Sequence, residues 1–339
     1  MNHIHIACVG GWHSHAKDFP MDRAKKFCSH IPYSIDAVWD DDLARGKAWA
    51  AEMGCKFQPD YDALCADPSI DGFIITAGTT KHAALLRKAA NAGKHVFMEK
   101  ALTTDPKEAA ELRDLVHTSG ITYTISDPVE KPELLYAKAL LDSGILGDVT
   151  SIRYKTCHAF GLTDPALMAR YYERAETGGG CMFDMGHHAV HVLLWFLGIP
   201  SSVTGIFSRF SETAKKNDVD DIAAALYSFP SGAIGIAETG YLCPGGNSVF
   251  ELWGTKGQLR WLRGEPGELK YRFNAEEPWI VVPEDALPAG APYPLQYWME
   301  CVSEEKPATR YTIEEAATVA QMIAAAYRSD GSAVPVDCF

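Results

Sequence analysis

Short runs of β-branched and apolar residues alternate with helical stretches through the first third of the chain. Residues 4–9, 35–39, 72–76, 96–99 and 121–126 read as strands, bounded by turn-forming residues. Between them, residues 43–53, 61–65, 82–91 and 106–118 carry apolar positions at helical spacing, and Gly54 and Gly93 stand where two of these helices should stop. Strand, helix, strand in repetition predicts right-handed crossovers and a parallel sheet covered on both faces. Residues 1–126 are therefore expected to form a doubly wound α/β domain.

After residue 126 the periodicity changes. Residues 132–143 and 181–197 read as helices ending at Gly144 and Gly198, and most of the rest is strand-like: 149–157, 203–209, 223–228, 233–241, 248–253, 257–262 and 269–273. Short turns such as Pro230–Ser231–Gly232 join neighbours in antiparallel fashion. Residues 127–339 are expected to be an α+β domain with a large, mostly antiparallel open sheet and helices on one face. The Pro-, Gly- and Ala-rich stretch 274–296 reads as an irregular excursion, and residues 312–328 as a last helix.

Composition narrows the function classes. The 339 residues carry 31 Lys and Arg against 44 Asp and Glu, a formal charge of −13 without a basic block, which argues against a nucleic-acid surface. The 9 cysteines include no Cys-x-x-Cys pair and lie mostly in apolar runs, as expected of thiols in a reduced compartment. The chain enters its first strand with no basic leader and carries no long apolar span, so a cytoplasmic protein without a membrane partner is expected.

The first strand runs into Gly10-Gly11-Trp12-His13-Ser14-His15, where a doubly wound fold binds a pyrophosphate on backbone N–H groups. Gly10, Gly11, Trp12 and His13 are the candidate cofactor loop, although Trp12 and His15 replace the second and third glycines of the usual fingerprint and Pro20 interrupts the following helix. Asp40 ends the second strand, where an acid accepts from an adenosine ribose. With Asp41 and Asp42 it favours NAD over NADP, while Arg45 one turn on opposes that preference. Thr76 and Glu99, at the ends of the next two strands, complete the cofactor set.

Two motifs carry the chemistry. Glu99-Lys100 places a lysine at the carboxyl end of a buried strand, where open α/β sheets bind ligands. The segment 178–191, Gly-Gly-Gly-Cys-Met-Phe-Asp-Met-Gly-His-His-Ala-Val-His, sets Asp184, His187, His188 and His191 in one sector of a helix, opposite Ala189, Leu193 and Phe196. Together with Asp142-Ser143-Gly144-Ile145-Leu146-Gly147 and Gly254-Thr255-Lys256-Gly257, these motifs resemble the Gfo/Idh/MocA family of NAD(P)-dependent oxidoreductases. The resemblance implies a Rossmann domain, hydride transfer between NAD(P) and a secondary alcohol or keto group of a sugar, inositol or related polyol, and homodimers or homotetramers formed through the C-terminal sheet. It makes Lys100 the residue that orients the substrate oxygen, Asp184 the holder of substrate hydroxyls, and His188 the proton acceptor. Ala101 departs from the family's proline after Lys100.

Two other readings use the same residues. Asp184, His187, His188 and His191, with His158, are donors suited to zinc or manganese in a hydrolase or lyase, whereas the oxidoreductase reading needs no metal. A ligand-sensing protein on the same scaffold, without turnover, is the other.

Overall fold

A computed structural model describes residues 1–246, 248–264, 267–329 and 331–338. The chain divides into two compact units, one formed by Met1–Pro128 with Pro292–Ala317 and the other by Val129–Ala291 with Thr318–Phe339.

In the first unit, β1 (Ile4–Val9), β2 (Tyr33–Trp39), β3 (Lys56–Phe57), β4 (Gly72–Ile75), β5 (His95–Met98) and β6 (Tyr123–Ile125) form a parallel sheet in the order β3-β2-β1-β4-β5-β6. Both faces are covered, so β1, β4 and β5 are nearly continuous apolar runs instead of alternating ones. The order reverses at β1, so the carboxyl ends of β1 and β4 flank the crevice where such sheets hold ligands. Helix Leu43–Met53 starts on the Asp42 side chain, which accepts from Ala44 and Arg45 N–H, and stops at left-handed Gly54.

Two expectations change here. Pro20 does not end the helix after the glycine turn: helical residues run from His15 to Phe27, with a π-helical segment at Asp18–Arg23. Proline has no N–H and crowds the carbonyl four residues back, and the wider turn accommodates both. The segment 292–317, expected with the rest of 127–339 in the second domain, belongs by its contacts to the first unit. Its helix, Pro294–Ser303, buries Leu295, Trp298, Met299 and Val302 in the cluster formed by Ile4, Ile6, Phe19, Ile74 and Phe97.

The second unit contains β7 (Val149–Cys157), β8 (Ser202–Ser208), β9 (Ile222–Ser228), β10 (Ile234–Gly240), β11 (Val249–Gly254), β12 (Gln258–Leu262), β13 (Glu268–Arg272), β14 (Ile280–Val281) and β15 (Val334–Pro335). Their order is β14-β13-β12-β11-β7-β10-β9-β8-β15, antiparallel except for the central β7–β10 pair. Strands alternate inward and outward: β9 buries Ala223, Ala225 and Tyr227 and turns Ile222, Leu226 and Ser228 outward. Helix Gly186–Leu197 packs on β7 and β10. It is not continuous with Cys181–Asp184, as the sequence suggested, because Met185 separates them and Gly186 opens the second helix against the Met182 thioether.

Candidate active site

The glycine turn is held by the strand ends around it. Gly10 has a φ of +76°, and a Cβ there would lie 2.5 Å from Ala77 Cβ and 2.6 Å from Ala77 Cα, so only glycine fits. Its N–H donates to Trp39 O at 2.9 Å, and its carbonyl accepts from the Thr76 hydroxyl at 2.6 Å. Thr76 O in turn accepts from His13 N–H at 3.0 Å. Thr76 and Trp12 are buried, and Thr76 acts as a strut under the loop. This close approach of Gly10 to the loop after β4 makes the tight turn with which a dinucleotide-binding loop begins, the role such folds give their first glycine.

Asp40 is 1% exposed and makes four bonds. Its Oδ2 accepts from Gly11 N–H at 2.7 Å and Arg45 Nε at 2.8 Å; its Oδ1 accepts from Asp42 N–H at 2.8 Å and Arg45 Nη2 at 2.6 Å. A carboxylate has about four lone-pair sites, so Asp40 as it stands is a clasp between the glycine turn and Arg45, with no site left over for a ribose. Arg45 also reaches Asp41 at 2.9 Å, and Lys81 pairs with the same Asp41, which offsets part of the acidity at residues 40–42.

At the end of β5, Glu99 is 1% exposed and faces His15 Nδ1 at 3.0 Å and His13 Nδ1 at 3.9 Å. Burial opposes its ionisation, but His13, His15 and Lys100 together outweigh burial and hold the carboxyl well below the usual carboxylate range. The sequence singled out His13 but not His15 as a site residue, and the pairing depends on β1 lying beside β4 and β4 beside β5. Lys100 follows directly, itself buried, and the Lys100–Ala101 peptide is cis. His82, wholly enclosed, places Nδ1 at 2.7 Å from Ala101 O and Nε2 at 3.0 Å from Ala77 O. Burial lowers its pKa, so the neutral ring donates to one of these carbonyls and lies wedged between the loop bearing Lys100 and the loop against which Gly10 rests, a placement that no sequence pattern announced.

In the second unit, the last residue of the triple glycine packs on Asp220. A Cβ on Gly180 would collide with the Asp220 backbone, and the Asp220 carboxylate accepts from Gly180 N–H at 3.1 Å, Met182 N–H at 3.0 Å and Tyr327 O–H at 2.6 Å. Asp220 thereby fixes the start of the short helix that ends in Asp184. Asp184 Oδ2 accepts from the Tyr241 hydroxyl at 3.1 Å. Burial, then Asp184, Cys181 and Asp220, raise the Tyr241 phenol well above its usual range and keep it a donor. His188, half-buried, begins the next helix one turn on.

The polar stripe read from the sequence splits in two. His187 and His191 are enclosed, at 0% and 1% exposure, while Asp184 and His188 are partly open. Among the described residues these four do not converge as one donor set. His158 stacks on Tyr241 with ring centroids 5.3 Å apart and 11° between planes, so it supports the Asp184 partner. Tyr171 and Tyr172 are buried, and the exposed Arg174 binds the carboxylate and carbonyl of Asp218.

Comparison with known proteins agrees with this architecture. Residues 4–126 match the family described as "Oxidoreductase family, NAD-binding Rossmann fold", and residues 134–260 match the GFO/IDH/MocA C-terminal domain. The chain is 29% identical to D-xylose dehydrogenase of Paenarthrobacter nicotinovorans over 62% of its own length and 54% of that protein. It is 27% identical to scyllo-inositol 2-dehydrogenase (NAD(+)) of Bacillus subtilis over 70% of its length and 68% of the relative. The fold matches that of levoglucosan dehydrogenase in complex with NADH and levoglucosan, with a TM-score of 0.84 at 20% identity over 99% of this chain and 100% of the other.

Proposed function

The chain belongs to the GFO/IDH/MocA family of oxidoreductases with an NAD-binding Rossmann domain, and from that premise we propose that it oxidises a secondary alcohol of a sugar, inositol or related polyol, or reduces the matching ketone. The observation that carries this reading is the buried, ionised Glu99 beside Lys100 at the carboxyl end of β5, reached by the imidazoles of the glycine turn. Relatives named as dehydrogenases of D-xylose and scyllo-inositol supply the substrate class.

Gly10, Gly11, Trp12 and His13 would hold the dinucleotide, with Thr76 and Glu99 bracing the loop. Asp40 keeps the turn in shape through Gly11 and reaches a ribose by exchanging one Arg45 bond. NAD, when bound, supplies the hydride acceptor. The Lys100 ammonium orients the substrate oxygen and stabilises negative charge developing on it. Asp184, held by Tyr241, accepts from a substrate hydroxyl. His188 accepts the hydroxyl proton, a task suited to an imidazole at neutral pH.

The outer face of the large sheet supports self-association. Ile206, Ile222, Leu226, Ile234 and Leu262 are exposed on it, around Arg153 paired to Glu238 at 2.8 Å and to Glu251 at 3.1 Å. An apolar field around a satisfied ion network suits a second copy of the chain. Sedimentation equilibrium of the pure protein is expected to give a dimer or tetramer mass. The activity is tested by incubating the protein with NAD and a panel of pentoses, hexoses, anhydrosugars and inositols. Polyol-dependent NADH absorbance is expected, and nucleotide binding without turnover on any of them would favour a ligand sensor instead.

A further inference from the structure

In the second unit, β7 and β10 run parallel with Cys157 directly opposite Gly240. Residues in register on neighbouring strands project to the same face about 5 Å apart. Gly240 projects nothing, and the Sγ of Cys243 takes that space, 3.2 Å from where a Gly240 Cβ would sit. The turn at residues 243–246 brings it there: Cys243 N–H donates to His158 O at 3.0 Å, and Gly246 N–H closes on Cys243 O at 2.8 Å. Gly246 in turn leaves room for Cys157, whose Sγ lies 3.1 Å from the position of a Cβ on that residue. Two thiols far apart in sequence thus share one pocket between two glycines. Both are reduced, Cys157 buried and Cys243 partly open to solvent.

We propose that Cys157 and Cys243 are a site of reversible oxidation, at which a peroxide converts the dithiol to a disulfide. Cys243, the more open sulfur, attacks as its thiolate. A sulfur–oxygen bond forms, the peroxide O–O bond breaks, and the released hydroxide takes up a proton as water. The Cys157 sulfur then attacks the Cys243 sulfenic acid, its proton leaving with the displaced hydroxide as a second water. Two electrons pass from the sulfurs to the peroxide. Burial, together with the neighbouring Cys243, pushes the Cys157 thiol up to about 11, consistent with its acting second, as the resolving sulfur. The bond ties His158 to the segment carrying Tyr241, the two residues stacked beside Asp184.

The test is to treat the full chain with hydrogen peroxide, alkylate the remaining thiols and map the non-reducing digest by mass spectrometry. The expected result is a peptide pair linked through Cys157 and Cys243, the loss of two titratable thiols, and recovery of both with dithiothreitol. Cys157→Ser is expected to leave a sulfenic acid on Cys243 that dimedone traps. Gly240→Ala, whose methyl group would crowd the Cys243 sulfur at 3.2 Å, is expected to slow cross-linking while the protein stays folded by circular dichroism. Both cysteines recovered as separate alkylated peptides from oxidised wild-type protein, or cross-linking at an unchanged rate in Gly240→Ala, would overturn the proposal.

Discussion

Replacing Gly10 with alanine asks the glycine turn to hold a side chain it has no space for. Two costs add at this position. A left-handed conformation costs an L-residue about 1–2 kcal/mol, and Gly10 has a φ of +76°. The new methyl group would meet Ala77 at Cβ, Cα and N, at 2.5, 2.6 and 2.8 Å, and two of these atoms are backbone that cannot rotate away. Overpacking of this kind costs about 1–3 kcal/mol, so Gly10→Ala is expected to destabilise the first unit by about 2–5 kcal/mol. Any relief must come from moving the loop after β4 or opening the Thr76–Gly10 bond, and both disturb the surface on which the nucleotide is proposed to lie. Urea denaturation followed by tryptophan fluorescence measures the first effect, and calorimetric titration with NADH measures the second, expected to be a loss of affinity of roughly tenfold or more. Stability within about 0.5 kcal/mol of wild type together with unchanged NADH affinity would refute the reasoning.

Three other outcomes follow from the site. Glu99 is held below its ordinary value of 4.5, so the folded state binds fewer protons than the unfolded chain just below that pH; its contribution to stability is present above 4.5 and is lost as pH falls toward the depressed value, and Glu99→Gln should flatten that acid limb in denaturation midpoints measured against pH. The carboxylates of residues 40–42 repel a 2′-phosphate, so wild type is expected to prefer NAD(H) over NADP(H) by roughly tenfold, about 1.4 kcal/mol; Arg45 offsets part of that charge, so Arg45→Ala is expected to widen the gap in paired titrations, and a narrower gap would show that Arg45 does not control the phosphate position. Dialysis against a strong chelator should leave polyol-dependent NADH formation unchanged, and loss restored by zinc or manganese would return the metal reading to favour.

What the sequence disclosed and what it hid differ in kind. The strand runs and glycine stops were legible because each is a local signal: β7 spans Val149–Cys157 as read, and Gly54 closes helix Leu43–Met53 in the left-handed conformation. Helix Pro294–Ser303 carries Leu295, Trp298, Met299 and Val302 at helical spacing, yet its first turn falls inside the Pro-, Gly- and Ala-rich stretch 274–296 that reads as irregular, and residues 297–303 receive no element. Proline at the first helical position is favourable, so Pro294 opens the helix where the composition of the preceding stretch hides it. The clasp of Asp40 on Gly11 and Arg45, the placement of His82 between Ala77 and Ala101, and the Tyr241 donor to Asp184 were hidden for another reason. Each joins segments that only the sheet order brings together, 29 residues apart for Asp40 and Gly11 and 57 for Tyr241 and Asp184. The histidine stripe of residues 184–191 was half right, since a helical wheel gives direction along one helix but not what packs against it.

The proposed chemistry turns on His188 as the proton acceptor, and the most direct measurement is the turnover of His188→Asn against wild type, with NADH affinity measured on the same preparations. The enclosed His187 is a poor control because replacing it disturbs the helix packing, so nucleotide binding serves as the control instead. The predicted result is a fall in kcat of roughly 10²–10⁴-fold, the usual contribution of a positioned acid–base group, with NADH affinity unchanged. Wild-type turnover in His188→Asn would contradict the assignment and with it the proposed chemistry of the site.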